Sequence, residues 1–270
     1  MSLGGSNQLV PDASSSTTSS TSRHPRMKKP PTPPFVLSSL AMRTIQEIHD
    51  ISREVFAAAD VPGFQPSPAN VARLSGFLNG LTLEDFGLDP TMKYFKPESR
   101  GRSKVTYLHF ESSNELSFGV FCLPHSAVIP LHDHPGMTVF SKILMGAMHM
   151  RSYDWVAPMS GGNAMMTPSG ARLAKLHADS VLDASSETVV LYPQSGGNLH
   201  RFTAVSPCAL LDVMGPPYCH DQGRDCSYYR GRTMISGGEE FAWLKQVPCT
   251  LQMDTIMKSE MIEDPTEMVI

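Results

Sequence analysis

His132, Asp133 and His134 follow one another within Val128-Ile-Pro-Leu-His-Asp-His-Pro-Gly136. On an extended strand, residues two apart point to the same face. A rise of about 3.3 Å per residue then sets their side-chain bases about 6–7 Å apart. Two imidazoles at that spacing can meet on one metal ion through bonds of about 2.1 Å. Asp133 points the other way and is not expected to ligate. A third ligand must come from elsewhere, and His200 is the candidate. It follows Pro193-Gln-Ser-Gly-Gly-Asn-Leu199, a turn-forming run that places it at the start of a strand. His109, His125, His149, His177 and His220 have no such partner pattern, and His24 and His49 fall in a tail and a helix.

Three neutral imidazoles leave a divalent metal its full charge and leave adjacent positions open. Such a site suits a substrate that brings its own anionic ligand. A thiolate fits, because soft sulfur bonds well to Fe(II) and the metal lowers the thiol pKa. An amine of the same substrate and dioxygen would take the remaining positions. Oxygen chemistry needs a redox metal, which favours iron. Zinc with a bound water, a hydrolytic or carbonate-hydrating site, stays open on the residues alone.

The elements that must position these residues follow from patterning. The chain has 270 residues, 41% hydrophobic and 18% charged, with a net charge of −4 that argues against a nucleic-acid partner. Five cysteines without a C-x-x-C pair argue against a disulfide framework or zinc ribbon. No apolar run is long enough to suggest a membrane span. Residues 1–36 are rich in Ser, Thr and Pro and are expected to be disordered. Within them, Arg23-His-Pro-Arg-Met-Lys-Lys29 reads as a nuclear-import signal or as a solvated basic tail.

Leu40, Ile45, Ile48, Ile51, Val55 and Phe56 predict a helix capped by Ser39. Ser67-Pro68 starts a second, and Thr82-Leu-Glu-Asp85 a third, short one. From Val105 the pattern changes to strands at Val105–Phe110, Glu115–Leu123, Val128–His134, Met137–Met145 and Ala147–Trp155. A loop is expected at Ser160-Gly-Gly-Asn163. Strands continue at Leu173–Ala178, Glu187–Tyr192, Leu199–Val205 and Ala209–Val213, with Phe241–Val247 as the last. Strands at this spacing, with no helices between them, predict a closed antiparallel barrel or jelly roll. The main domain is expected over 37–252, with a loosely held acidic tail over 253–270.

The His-x-His segment and the later histidine resemble the two signature motifs of the cupin superfamily. The first of those motifs usually adds a glutamate ligand, whose place here falls at Thr138 or Val139. That departure argues against oxalate-degrading and sugar-isomerising cupins. Ile129-Pro-Leu-His-Asp-His-Pro-Gly-Met137 and Ser141-Lys-Ile-Leu-Met-Gly146 resemble the plant cysteine oxidases, relatives of the animal 2-aminoethanethiol dioxygenase. Tyr192-Pro193, Asn198-Leu-His-Arg-Phe202, Asp212-Val213, Pro216-Pro-Tyr218 and Gly223-Arg-Asp-Cys-Ser-Tyr-Tyr229 extend the likeness. The resemblance implies a mainly β cupin double-stranded β-helix with N-terminal α-helices. It implies one Fe(II) per chain, bound by His132, His134 and His200. Asp212 and Tyr218 fall on residues used for substrate handling at the mouth of the site.

The implied reaction uses O2 to convert the N-terminal cysteine of target proteins to its sulfinic acid, incorporating both oxygen atoms. The implied partners are ethylene-response transcription factors, marked in this way for the N-degron pathway as a function of oxygen. A monomer in cytoplasm and nucleus is expected, with no nucleic-acid or membrane partner. The alternatives are a small-aminothiol (cysteamine) dioxygenase and a non-catalytic cupin that binds a metal or ligand. Three smaller expectations concern single residues: a thioether between Cys226 and Tyr228 against an ordinary buried cysteine; Arg151 and Asp154 as substrate contacts against a solvated face; and Arg201 as a structural partner for Asp212.

Overall fold

The computed structural model describes residues 36–59, 61, 63–97, 103–157 and 165–262. The extension expected over residues 1–36 lies, up to residue 35, outside the described residues, as does the loop expected at Ser160–Asn163. Helix α1 (Ser39–Val55) buries Ile45, Ile48, Ser52 and Val55 at helical spacing. Its cap is Ser38 rather than Ser39: the Ser38 Oγ accepts the Ala41 N–H at 3.1 Å. Helix α2 (Pro68–Asn79) has Ser67 as its cap and Pro68 at its first position. The third expected helix is a single 3-10 turn, Glu84–Phe86, with Asp85 accepting the Thr82 N–H at 2.7 Å.

Twelve strands follow among the described residues. They are β1 (Val105–Ser112), β2 (Ser117–Leu123), β3 (Val128–His132), β4 (Thr138–Met145), β5 (Ala147–Trp155) and β6 (Arg172–Asp183). Then come β7 (Val189–Leu191), β8 (Leu199–Ala204), β9 (Cys208–Gly215), β10 (Tyr228–Ser236), β11 (Glu239–Val247) and β12 (Met253–Met257). One sheet has the order β12-β1-β2-β9-β4-β7, and the ring β10-β11-β6-β5-β8-β3 closes on itself. The chain passes repeatedly from one assembly to the other, which is the winding of a cupin double-stranded β-helix.

Alternation divides the core. On β9, Ala209, Leu211 and Val213 join the cluster under α1 and α2, with Leu108, Phe118 and Phe140. Cys208 and Leu210, on the opposite face of β9, join a second cluster with Ile129, Met148, Met150 and Phe202. Asp212 shares the face of Cys208 and Leu210. It is the one carboxylate on a strand buried along its whole length.

Three features depart from the sequence expectation. Strand β3 ends at His132, so His134 lies in the β3–β4 connection rather than on the strand. Phe241–Val247 is not the last strand, because the segment expected as a tail forms β12. It pairs in parallel with β1, Val105 facing Met253 and His109 facing Met257. Strand β10 was not foreseen at all. Gly231, Arg230 and Arg232 break its alternation, and its stability comes from pairing with β11 along its whole length.

Gly119 on β2 pairs with His109 on one side and Asp212 on the other. A Cβ there would stand 2.4 Å from the Leu108 carbonyl oxygen and 2.7 Å from the Tyr107 ring. The missing side chain makes room for the Tyr107 ring, which lies over Gly119. Gly119→Ala should therefore destabilise the fold by about 1–3 kcal/mol, read as a lower midpoint in thermal or denaturant unfolding. An unchanged midpoint would mean that the ring has room to move.

Candidate metal centre

His132 at the end of β3 pairs in register with His200 on β8. The connection after β3 folds His134 back towards both. The three ring centroids form a near-equilateral triangle with sides of 4.9, 4.7 and 4.8 Å. Their ligand nitrogens lie within 4.8 Å of one another, and all three side chains are buried. Among the described residues no other group of His, Cys, Asp and Glu converges in this way.

The tautomers follow from the hydrogen bonds. The His132 Nδ1 lies 2.8 Å from the Pro130 carbonyl oxygen, so it carries the proton and leaves the Nε2 lone pair free. Tyr218 donates its hydroxyl proton to the Asp133 carbonyl at 2.8 Å. Its oxygen is then free to accept from the His134 Nδ1 at 2.9 Å, which frees the His134 Nε2 as well. Burial pushes the His132 imidazole down to about 4. Burial, reinforced by the neighbouring imidazoles, holds His134 and His200 well below the usual histidine range. The three rings are therefore neutral near physiological pH, the state in which imidazole binds a metal.

A second layer holds this triangle. The Asn198 Oδ1 accepts the His134 N–H at 3.1 Å, and its Nδ2 donates to the His134 and Tyr192 carbonyls at 2.9 Å each. Asp154, on β5, accepts the N–H groups of Gly197 and Asn198 at 2.9 and 3.0 Å. His177 lies 3.2 Å from the other Asp154 oxygen. Gly197 has a φ of +82°, and a Cβ on it would strike the Ser152 Oγ at 2.4 Å. Asp154 thus braces the loop that carries Asn198. Asp133 faces away from the histidines: it accepts from the Ser227 N–H at 2.9 Å and the Tyr229 hydroxyl at 2.8 Å.

A cavity of about 370 Å³ opens onto the triangle, lined by Tyr107, His109, Asp212, Tyr218, Cys226 and Tyr228 among others. The Ser141 Oγ donates to the Asp212 Oδ1 at 2.6 Å. Burial pushes the Asp212 carboxyl up to about 7. Arg201 is not its partner. It projects from the other side of β8, exposed, while His200 points inward. Arg151 is committed to Asp179 and Glu240 rather than to the cavity of the histidines. Cys226 is a free thiol hydrogen-bonded to Tyr218 and Tyr228, and burial raises it to about 11.

Tyr107, Ser141 and Asn198 have no assigned role in the sequence reading and His109 is set aside there; the structure puts Tyr107 and His109 on the cavity wall, Ser141 on Asp212 and Asn198 on His134. The His109 Nε2 is buried with no hydrogen-bond partner. The alternation of β1 was the available signal. Leu108 and Phe110 enter the core under the helices, which turns Tyr107 and His109 towards the cavity.

The PCO_ADO family matches residues 77–262. Plant cysteine oxidase 1 of Arabidopsis thaliana is 44% identical over 219 residues, 75% of this chain and 73% of that protein. Plant cysteine oxidase 2 of the same plant is 44% identical, over 75% of each chain. The human 2-aminoethanethiol dioxygenase is 33% identical, over 63% of this chain and 67% of that protein.

Loss of the hydrogen bond on a ligand's far nitrogen typically lowers metal affinity about 10–100-fold. Tyr218→Phe, which removes the acceptor of the His134 Nδ1, should fall in that range, and Asn198→Ala should behave alike. Chelator competition against bound Fe(II) or Co(II) measures this. Wild-type affinity in both variants would mean that packing alone orients His134.

Proposed function

The chain belongs to the PCO_ADO family, and from that premise we propose that it is an Fe(II)-dependent thiol dioxygenase acting on the N-terminal cysteine of proteins. One observation carries the reading: three neutral imidazoles converge in a cavity whose single buried carboxylate stands apart from them. The His134 and His200 Nε2 atoms are 3.0 Å apart. Two ligands about 2.1 Å from a metal are about 3.0 Å apart at a right angle and about 3.4 Å apart at the tetrahedral angle. That spacing lets His134 and His200 share one ion, and His132, whose ligand nitrogen lies within 4.8 Å of theirs, would be drawn in as the third ligand. Iron(II) held there would supply dioxygen activation.

The protein's own residues then have defined tasks. The net reaction, R–SH + O2 → R–SO2H, is balanced without a further reductant. The apolar walls exclude water, and Phe121, Ile129 and Met214 are among them. Asp212, held by Ser141, accepts a hydrogen bond from the substrate's amine. Poised near neutrality, its carboxyl also takes up the thiol proton when the thiolate forms and returns it later. Tyr218 keeps His134 in its ligating tautomer and walls the cavity.

Identity to the plant enzymes exceeds that to the 2-aminoethanethiol dioxygenases, which supports the protein substrate over a small aminothiol. Ethylene-response transcription factors as targets, their marking for the N-degron pathway, oxygen sensing, and a monomer working in cytoplasm and nucleus complete the proposal on family resemblance.

Mass spectrometry of a Cys-initiated peptide incubated under labelled O2 should show two oxygen atoms gained, both from the gas. Label taken up from water, or cysteamine consumed in preference, would overturn the assignment. His200→Ala should lose iron and activity together. Asp212→Asn should keep the iron yet turn over at least about tenfold more slowly, since about 1.4 kcal/mol is a factor of ten. Near-normal turnover would make Asp212 a structural residue.

Asp212 also sets a pH dependence in the metal-free protein. Its folded-state pKa is raised above the unfolded carboxylate value, so the native state binds the extra proton between roughly pH 4 and 7. Stability falls across that window as pH rises. The melting midpoint of Asp212→Asn should therefore gain on wild type from pH 5 to pH 8. Parallel midpoints across that range would mean that the carboxylate is ionised throughout.

A further inference from the structure

A larger cavity lies within the closed ring, between the β10–β11 hairpin and the face of β3, β5 and β8 turned away from the histidines. Its volume is about 540 Å³, and Arg151, Arg201 and Arg230 are the charged residues on its wall; no carboxylate lines it. Arg151 is neutralised by Asp179, at 3.0 Å, and by Glu240. Arg201 and Arg230 are exposed and have no ion pair or side-chain hydrogen bond with any described residue.

The placement of these charges is costly for the sheet. Arg201 stands directly opposite Arg151 across β5 and β8, and Arg230 directly opposite Lys245 across β10 and β11. Like charges in facing positions destabilise a sheet. Arg151 has its own carboxylates, so Arg201 and Arg230 are the two charges on this wall that no described residue pairs. Apolar and aromatic surface from Val128, Leu131, Tyr153 and Leu244 lines the rest of the wall, so an extended chain has something to pack against.

This cavity adjoins the one that holds the histidines. Tyr228 belongs to both walls. The segment after β11 also serves both: Pro248 and Thr250 face the arginine cavity, and Leu251 and Met253 face the metal cavity. The two cavities are therefore neighbours across one wall, formed by Tyr228 and the segment after β11.

We propose that the arginine cavity binds an aspartate or glutamate carboxylate in the substrate chain downstream of its N-terminal cysteine, with Arg201 and Arg230 as the recognising residues. The proposal rests on the reading of the substrate as a polypeptide. It makes acidic residues behind the cysteine a specificity determinant, held by charge-assisted hydrogen bonds at a partly exposed site.

The test uses the iron-loaded full-length protein and Cys-initiated peptides in which one Asp is walked along an otherwise neutral sequence. At one or two adjacent positions the Asp peptide should show a KM about three- to tenfold below that of its Asn counterpart, with kcat unchanged. Raised salt should shrink the difference. Arg201→Gln and Arg230→Gln should abolish the preference while leaving the neutral peptide's KM and kcat intact, and Arg201→Lys should restore part of it. Equal KM values for Asp and Asn at every position would overturn the proposal. So would an equal loss on both peptides in the Gln variants. Failure of the protein to oxidise any Cys-initiated peptide would instead sink the polypeptide reading itself.

Discussion

The withdrawal of three imidazoles from water is the constraint on which the site depends. A charged imidazolium in that interior would be opposed by burial and by its neighbours, so the rings stay neutral and keep their lone pairs for a metal. Neutrality alone does not aim them. His132 is aimed by the Pro130 carbonyl within its own strand, and His134 by a tyrosine from a distant loop. His200 takes its direction from a strand hydrogen-bonded on both sides, to β3 and to β5. The fold supplies three different devices for one purpose. Each has to act across elements far apart in sequence, which only the winding of the two sheets brings together.

Much of this was legible in the chain. His-x-His and the post-turn His200 mark a ligand set, and the spacing of apolar residues marks the helices and most strands. Asp212 stood out because a carboxylate in Ala209-Leu-Leu-Asp-Val213 is conspicuous. The reason it is tolerated was not legible. Its hydrogen bond comes from Ser141, 71 positions away, and nothing about an isolated serine announces that role. Asn198 is similar. Its four hydrogen bonds, to His134, Tyr192 and Asp154, depend on a turn whose shape is set by Gly197, and a glycine pair before an asparagine reads only as a turn.

The strands that escaped notice share a physical cause. Strand β10 is largely exposed, with arginines and a glycine in its middle, and β12 contains two adjacent residues of β preference, Thr255 and Ile256, among Met and Asp. Neither has an alternation that stands alone. Both exist because a partner strand is already in place. The β10–β11 ladder runs through nine residue pairs, and β12 completes the open edge of β1. Tertiary pairing rather than local propensity decides such segments. The same reasoning explains why β3 stops at His132. The His134 backbone pairs with the Asn198 side chain instead of with a strand.

Strand β8 shows how one element serves two surfaces. Period-two alternation sends His200 inward to the metal centre and Arg201 outward to the arginine cavity, one peptide bond apart. Strand β10 also touches both cavities: Tyr228, whose ring lies 6.0 Å from that of His132, lines the two of them, and Arg230, two residues on, lines the arginine cavity alone. A rigid sheet therefore fixes the distance between where a substrate would react and where its following residues would be read. Flexible loops could not hold that distance as closely, because both faces share the same hydrogen-bonded backbone. The hairpin that covers the arginines is also the one that closes the ring at Tyr228 and His132.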